Sequence, residues 1–125
     1  MKPQSPLEKH EQRAVVALIT RIGGHAYELG RPRGREDSDQ GMRHTPGLPD
    51  IWAFLPPAPR QVNGNVITSA GHSIGLWIEV KRVGGKLRPE QKLFKNRCDE
   101  CWTNHLVAFG VDGMIAYLKD GGWLK

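Results

Sequence analysis

The chain has 125 residues, 38% hydrophobic and 25% charged, which suits one soluble domain and leaves no room for two of ordinary size. No apolar run reaches the roughly 18 residues of a transmembrane helix, and "MKPQSPLEKHEQ" has no signal-peptide core, so a membrane or secreted protein is not expected. Eighteen Lys and Arg against thirteen Asp and Glu give a net charge of +5, which is compatible with an anionic partner.

In chain order, Ser5-Pro6-Leu7-Glu8 predicts a helix start. Ser5 is the N-cap, Pro6 takes the first helical position and Glu8 completes a capping box. The helix runs to about Ile22 and stops at Gly23-Gly24, with an apolar stripe of Leu7, Ala14, Val15, Leu18 and Ile22. Glu11 lies at about 40° from Leu7, inside that stripe, and capping does not explain it. "HAYEL" at 25–29 reads as a short strand. Residues 30–46 read as a loop in which Arg31, Arg33, Arg35 and Arg43, with His44, suit either phosphate contacts or plain solvation. "PDIWAF" at 49–54 is a second strand, continuously apolar from Ile51 as if covered on both faces.

Residues 55–74 read as an inserted loop or hairpin, with Asn63-Gly64 turning between "RQV" and "VIT". "LWIEVK" at 76–81 is the third strand, and "RVGGK" is a turn. A second helix starts at Pro89 and continues to about Trp102, its apolar stripe made of Leu87, Phe94, Cys98 and Trp102 with Gln91 among them. "LVAFGV" at 106–111 is a fourth strand, and Asp112 or Gly113 opens a last helix that Gly121-Gly122 ends. This order predicts one mixed α/β domain over residues 1–125, with helices packed on a central sheet.

The chemistry concentrates in "LWIEVK". Side chains alternate along a strand, so Leu76, Ile78 and Val80 share one face while Trp77, Glu79 and Lys81 share the other. Taken alone, Glu79 and Lys81 could be a surface ion pair on an edge strand. Asp50, at the start of the preceding apolar strand, can sit beside Glu79 if the two strands are neighbours. Glu11 and Gln91 also interrupt apolar stripes, although each has a bland reading as a helix-edge or capping residue. Converging carboxylates with a lysine describe a hard-cation site. Asp50 and Glu79 are the expected ligands of Mg²⁺ or Mn²⁺, with the Val80 carbonyl as a further one. Lys81 is placed to orient a water or stabilise a pentavalent phosphorus, which points to metal-assisted phosphodiester hydrolysis.

"GLPD" at 47–50, "WIEVK" at 77–81 and "GGKLRPEQKLF" at 84–94, in that order, resemble the VRR-NUC (virus-type replication-repair nuclease) branch of the PD-(D/E)XK nucleases. The resemblance spans roughly residues 7–118. It implies a restriction-endonuclease-like core, a central mixed β-sheet flanked by α-helices. It also implies a Mg²⁺- or Mn²⁺-dependent, structure-specific DNA endonuclease in viral or bacterial replication or repair. The family's acidic residues fall on Asp50 and Glu79, its lysine on Lys81 and its glutamine on Gln91. Its helix glutamate falls on Glu11, as catalytic residue and metal ligand, with Glu8 a rival. Small members imply a homodimer acting on branched DNA such as four-way junctions. Arg31, Arg33, Arg35, Arg43 and Lys86 are then the candidate DNA contacts. The long connection between Asp50 and Glu79 departs from the pattern and is assigned to the 55–74 insertion.

Other signals are weaker. Cys98 and Cys101 lack the second pair that a structural zinc site needs, and two cysteines are no disulfide framework; a reducing, cytoplasmic setting, bacterial or phage-infected, is the expectation. None of the five histidines has a metal-ligand spacing, and His44 and His72 read as loop residues near the site. The competing functions are a flap- or RNA-directed nuclease, a catalytically silent nucleic-acid-binding module, and an α/β interaction protein.

Overall fold

A computed structural model describes residues 6–29, 47–62, 65–68 and 73–125. Ser5, the 30–46 segment with its arginines and His44, the Asn63-Gly64 turn and His72 lie outside the described residues. The elements run α1 (Pro6–Arg21), β1 (His25–Glu28), β2 (Ile51–Leu55), β3 (Pro59–Val62), β4 (Asn65–Thr68), β5 (Ile74–Lys81), α2 (Pro89–Glu100), β6 (His105–Phe109) and α3 (Gly110–Asp120). Four strands form the central sheet in the order β1-β2-β5-β6, antiparallel except for the parallel pair β5–β6 that α2 connects. β3 and β4 pair only with each other, with Val62 opposite Asn65, so the 55–74 segment contains the expected hairpin.

The sheet has two unlike faces. One carries Ile51, Ala53 and Leu55 of β2, Leu76, Ile78 and Val80 of β5 and Ala108 of β6. These close against Val15 and Ile19 of α1 and Met114 and Leu118 of α3 to make the main core. The other face is aromatic. Trp52 and Trp77 lie opposite each other with ring centroids 4.5 Å apart, and Phe94 of α2 meets Trp77 edge-on at 5.2 Å. β2 is thus fully covered on one face only, since Phe54 on the other is 41% exposed. Its unbroken run of apolar residues reflects aromatic packing, where full burial on both faces was expected.

Other boundaries shift for identifiable reasons. α1 buries Gln12, Val15 and Ile19 together, a face rotated from the expected stripe because α1 wedges against both the sheet and α3. α2 ends at Glu100, not Trp102: Trp102 has φ +58, a left-handed conformation that cannot continue a helix, and is 95% exposed. β6 ends at Phe109 and α3 begins at Gly110, earlier than expected. Gly110 has φ +71, which lets the chain pass from strand to helix without a loop. Trp123 stacks on Tyr117 and donates its Nε1–H to the Pro56 carbonyl at 2.6 Å, pinning the C-terminal segment to the end of β2. Among the described residues no helix is long and apolar enough to cross a membrane.

Ile19 is fully buried where α1 meets the sheet. Ile19→Ala is expected to cost about 2–5 kcal/mol in urea unfolding, the sum of lost transfer energy and a residual cavity. Leu93→Ala, at a position 49% exposed, is expected to stay within about 0.5 kcal/mol. Equal effects of the two would contradict this placement of the core.

Candidate active site

β2 and β5 pair in a register that sets Ile51 opposite Ile78. One step further along, Asp50 faces Glu79. Asp50 precedes the first residue of β2, and its side chain continues the ladder: Oδ2 accepts the Val80 N–H at 2.9 Å. Its backbone carbonyl accepts the Leu29 N–H at 2.8 Å, tying the same residue to the chain just beyond β1. Asp50 is therefore held by two main-chain N–H donors, one on its carboxylate and one on its backbone carbonyl, beside β5.

Glu79 projects from the aromatic face of β5 and is only 2% exposed. Burial is the largest cause that raises its pKa from 4.5 to about 9; a hydrogen bond to Asp50 and the nearby Asp50 charge add to it, while Lys81 and Arg88 oppose it. At neutral pH Glu79 thus keeps its proton and can donate it to Asp50. One oxygen of Glu79, Oε1, is buried with no hydrogen-bond partner. Buried polar atoms of folded proteins are rarely orphaned, so this oxygen is suited to a ligand.

Lys81 stands two residues on, on the same face and half buried. Among the described residues the ion pair within 4 Å is Lys95–Asp99 on α2, so Glu79 and Lys81 are not the surface pair of an edge strand. β5 is an interior strand, between β2 and β6.

The donor set fits a hard divalent cation. Two adjacent carboxyls, one with a buried unused oxygen, match the few protein ligands that Mg²⁺ needs alongside water. Among the described residues no three His, Cys, Asp or Glu side chains are grouped as a metal site, and Glu11 is bonded at the start of α3. Its Oε2 accepts the Val111 N–H at the start of α3, at 2.6 Å. The side chain of its rival Glu8 lies outside what is described.

Gln91 caps α2: its Oε1 accepts the Arg88 N–H at 2.7 Å, which agrees with the bland reading. The same helix start reaches the carboxyls in another way. Gly47, with φ +85, lies so close to α2 that a Cβ there would be 2.3 Å from the Glu90 carbonyl oxygen. Only glycine permits this approach, which brings the "GLPD" turn onto the first turn of α2. Arg88 is thereby near enough for its charge to act on Glu79. Sequence reasoning passed over Arg88 and Arg82; the signal available was the basic run "KRVGGKLR" immediately after the glutamate. Lys86, in that run, is exposed.

His105 opens β6 opposite Trp77 and packs near Phe94, with ring centroids 6.1 Å apart. Its Nδ1 is buried without a partner, and burial lowers its pKa. Cys98 is buried, in line with packing there, and Cys101 is exposed; both are free thiols.

No family model and no curated protein matches the chain. A solved structure titled "VRR_NUC domain" is similar to it at a TM-score of 0.58, with 20% identity, over 93% of this chain and 97% of that one. The mixed four-stranded sheet, the three helices around it and this likeness together show that the chain has the fold of a VRR_NUC domain, a restriction-endonuclease-like α/β core.

Proposed function

We propose that the chain is a divalent-metal-dependent nuclease that hydrolyses phosphodiester bonds in DNA, with Asp50, Glu79 and Lys81 at its centre. The observation that carries this reading is the orphaned buried oxygen of Glu79 held against Asp50, with Lys81 beside it on an interior strand. Asp50 and Glu79 hold Mg²⁺ or Mn²⁺, with the Val80 carbonyl as a possible third protein oxygen. When bound, the cation lowers the pKa of a water and offsets charge on the phosphate. Asp50 keeps its orientation through the Val80 N–H, so the ligand geometry is set by the strand register before any substrate arrives. With a cation bound, Glu79 would serve as a carboxylate ligand, its proton released to solvent, and its burial would keep bulk water from it. The Lys81 ammonium orients the attacking water and faces the charge that accumulates on phosphorus.

The substrate reading is finer. The turn that follows Lys81 carries Arg82, Lys86 and Arg88, and Arg31, Arg33, Arg35 and Arg43 lie in the basic segment before Asp50. These cations suit phosphate contacts. A homodimer would bring two sites to one branched DNA, such as a four-way junction.

The test is cleavage of four-way junction, flap, duplex and single-stranded DNA with Mg²⁺, Mn²⁺ or EDTA. Cleavage of at least one branched substrate is expected, lost in EDTA. Asp50→Asn, Glu79→Gln and Lys81→Ala are each expected to lower the rate at least about 100-fold with the fold intact by circular dichroism. Undiminished activity in these variants, or activity that persists in EDTA, would overturn the reading.

The retained proton gives a second expectation. A carboxyl whose pKa rises from 4.5 to about 9 on folding stabilises the native state fully below pH 4.5, and that contribution disappears as pH climbs through 9. In metal-free buffer the urea midpoint is expected to fall between about pH 5 and pH 9. Glu79→Gln should flatten that slope and be the more stable protein at pH 9, and Mn²⁺ should restore wild-type stability there. A wild-type midpoint rising across this window would contradict a buried, protonated Glu79.

A further inference from the structure

The sheet face that carries Glu79 is only partly covered. α2 lies over its β5–β6 half, where Phe94 meets Trp77 and His105. On the β1–β2 half Tyr27 is 53% and Phe54 41% exposed. Alternation along β2 puts Asp50, Trp52 and Phe54 on this face, and the register sets Tyr27 of β1 opposite Trp52. The rings pack on one another: Tyr27 and Phe54 meet edge-on at 6.2 Å, and Trp52 and Phe54 at 5.5 Å. An aromatic row therefore leads away from the carboxyl of Asp50 toward the edge strand. From Asp50 to Phe54 it covers about 13 Å at the rise of a strand.

Position, size and rigidity point to nucleobases as the occupant. The row begins at the carboxyl pair, so a strand whose phosphate lies at Asp50 and Glu79 meets this face next. The exposed parts of Tyr27 and Phe54 amount to about 200 Å². A stable protein interface needs roughly 800 Å² from each partner, so this patch falls far short of a seat for a second subunit. Near-perpendicular packing, at 78° and 80°, fixes the rings in advance, so little side-chain freedom is lost when a base stacks on them. A paired duplex keeps its bases stacked on each other, whereas unpaired bases present a free π-face.

We propose that Tyr27 and Phe54 form a stacking surface for unpaired bases of the strand that is cut, beside the carboxyl pair and on the same face of the sheet. This deepens the nuclease reading and rests on it for the path of the strand. The rings hold bases without neutralising a phosphate, so their share of the affinity needs no metal and does not change with salt.

The test uses the full chain in EDTA and a labelled thymidine oligonucleotide, with an abasic oligonucleotide of the same length and charge beside it. Fluorescence anisotropy gives the affinity for each. Tyr27→Leu and Phe54→Leu keep apolar bulk and remove the π-face, while Tyr27→Phe keeps the ring. Each Leu variant is expected to bind the thymidine oligonucleotide about tenfold more weakly, by the same factor at low and high salt, and to bind the abasic one as wild type does. Tyr27→Phe is expected to match wild type on both. Equal weakening on the two oligonucleotides, or no weakening on either, would overturn the stacking surface. So would a wild-type dimer that becomes monomeric in Tyr27→Leu by sedimentation velocity, which would give the face to a second copy. A chain that binds bases through these rings and cleaves no DNA leaves the surface standing and sinks the nuclease reading. Metal-dependent cleavage with an oligonucleotide affinity that ignores both Leu substitutions does the reverse. If Phe54→Leu does not fold, the two Tyr27 variants decide alone.

Discussion

The Asp50 side chain substitutes for backbone at the point where β2 begins, and the site depends on that substitution. A strand that started one residue earlier would satisfy Val80 through a peptide carbonyl, and its next side chain would be free to turn away. Here the carboxylate itself accepts the Val80 N–H, so its position is as fixed as a ladder bond. The register then leaves no choice about its neighbour. With Ile51 opposite Ile78, the residue across from Asp50 is Glu79. A slip of one residue would carry Glu79 into the apolar core with Val15 and Ile19 and bring Ile78 to the aromatic face, which core packing forbids. The hydrophobic pattern of β5 therefore sets the carboxyl pair in place as firmly as it builds the core.

The aromatic layer has a related part. Trp52, Trp77 and Phe94 pack together between the sheet and α2. Burial is the leading cause of the raised pKa of Glu79, which lies on this same face of β5. Gly75 is part of the arrangement: a Cβ there would lie 2.8 Å from Trp52, so the indole lies flat across β5 only because that position is bare. Gly47 acts in the same way at the other end, where its lack of a side chain lets the Asp50 turn sit on α2. Both glycines are needed for close approach of other groups, one of a ring and one of a backbone.

Much of this was legible in the sequence. Period-two alternation put Glu79 and Lys81 on one face, and proline-led helix starts located α1 and α2, because these signals are local and steric. Asn63-Gly64 announced a hairpin for the same reason. What could not be read is what depends on partners far along the chain. Ile19 and Gln12 are buried because α1 packs against α3 as well as the sheet, and nothing within α1 encodes the second neighbour. Helix periodicity flagged Glu11 as an exception, yet its partner Val111 is 100 residues away, so periodicity alone could not separate a cap from a ligand. Gln91 showed the opposite case: its hydrogen-bond partner is local, the Arg88 N–H, and a local reading finds it. Trp102 looked like the end of an apolar stripe because hydrophobicity says nothing about φ.

The raised pKa of Glu79 also bears on why a fold would keep a carboxyl there. An ionised carboxylate at a site this dry costs several kcal/mol unless it is paired, and neither Lys81 nor Arg88 forms an ion pair with it. Protonation removes most of that cost, because a neutral acid can donate its hydrogen to Asp50 and leave only one oxygen unsatisfied. The price is a site that is only conditionally anionic. A divalent cation is the kind of partner that can reverse the balance, since its charge compensates both carboxylates at once, whereas a lysine or arginine compensates one. On the proposed reading, cation binding and proton release are therefore one event. On that reading Arg82, Lys86 and Arg88 of the following turn are available to the phosphate.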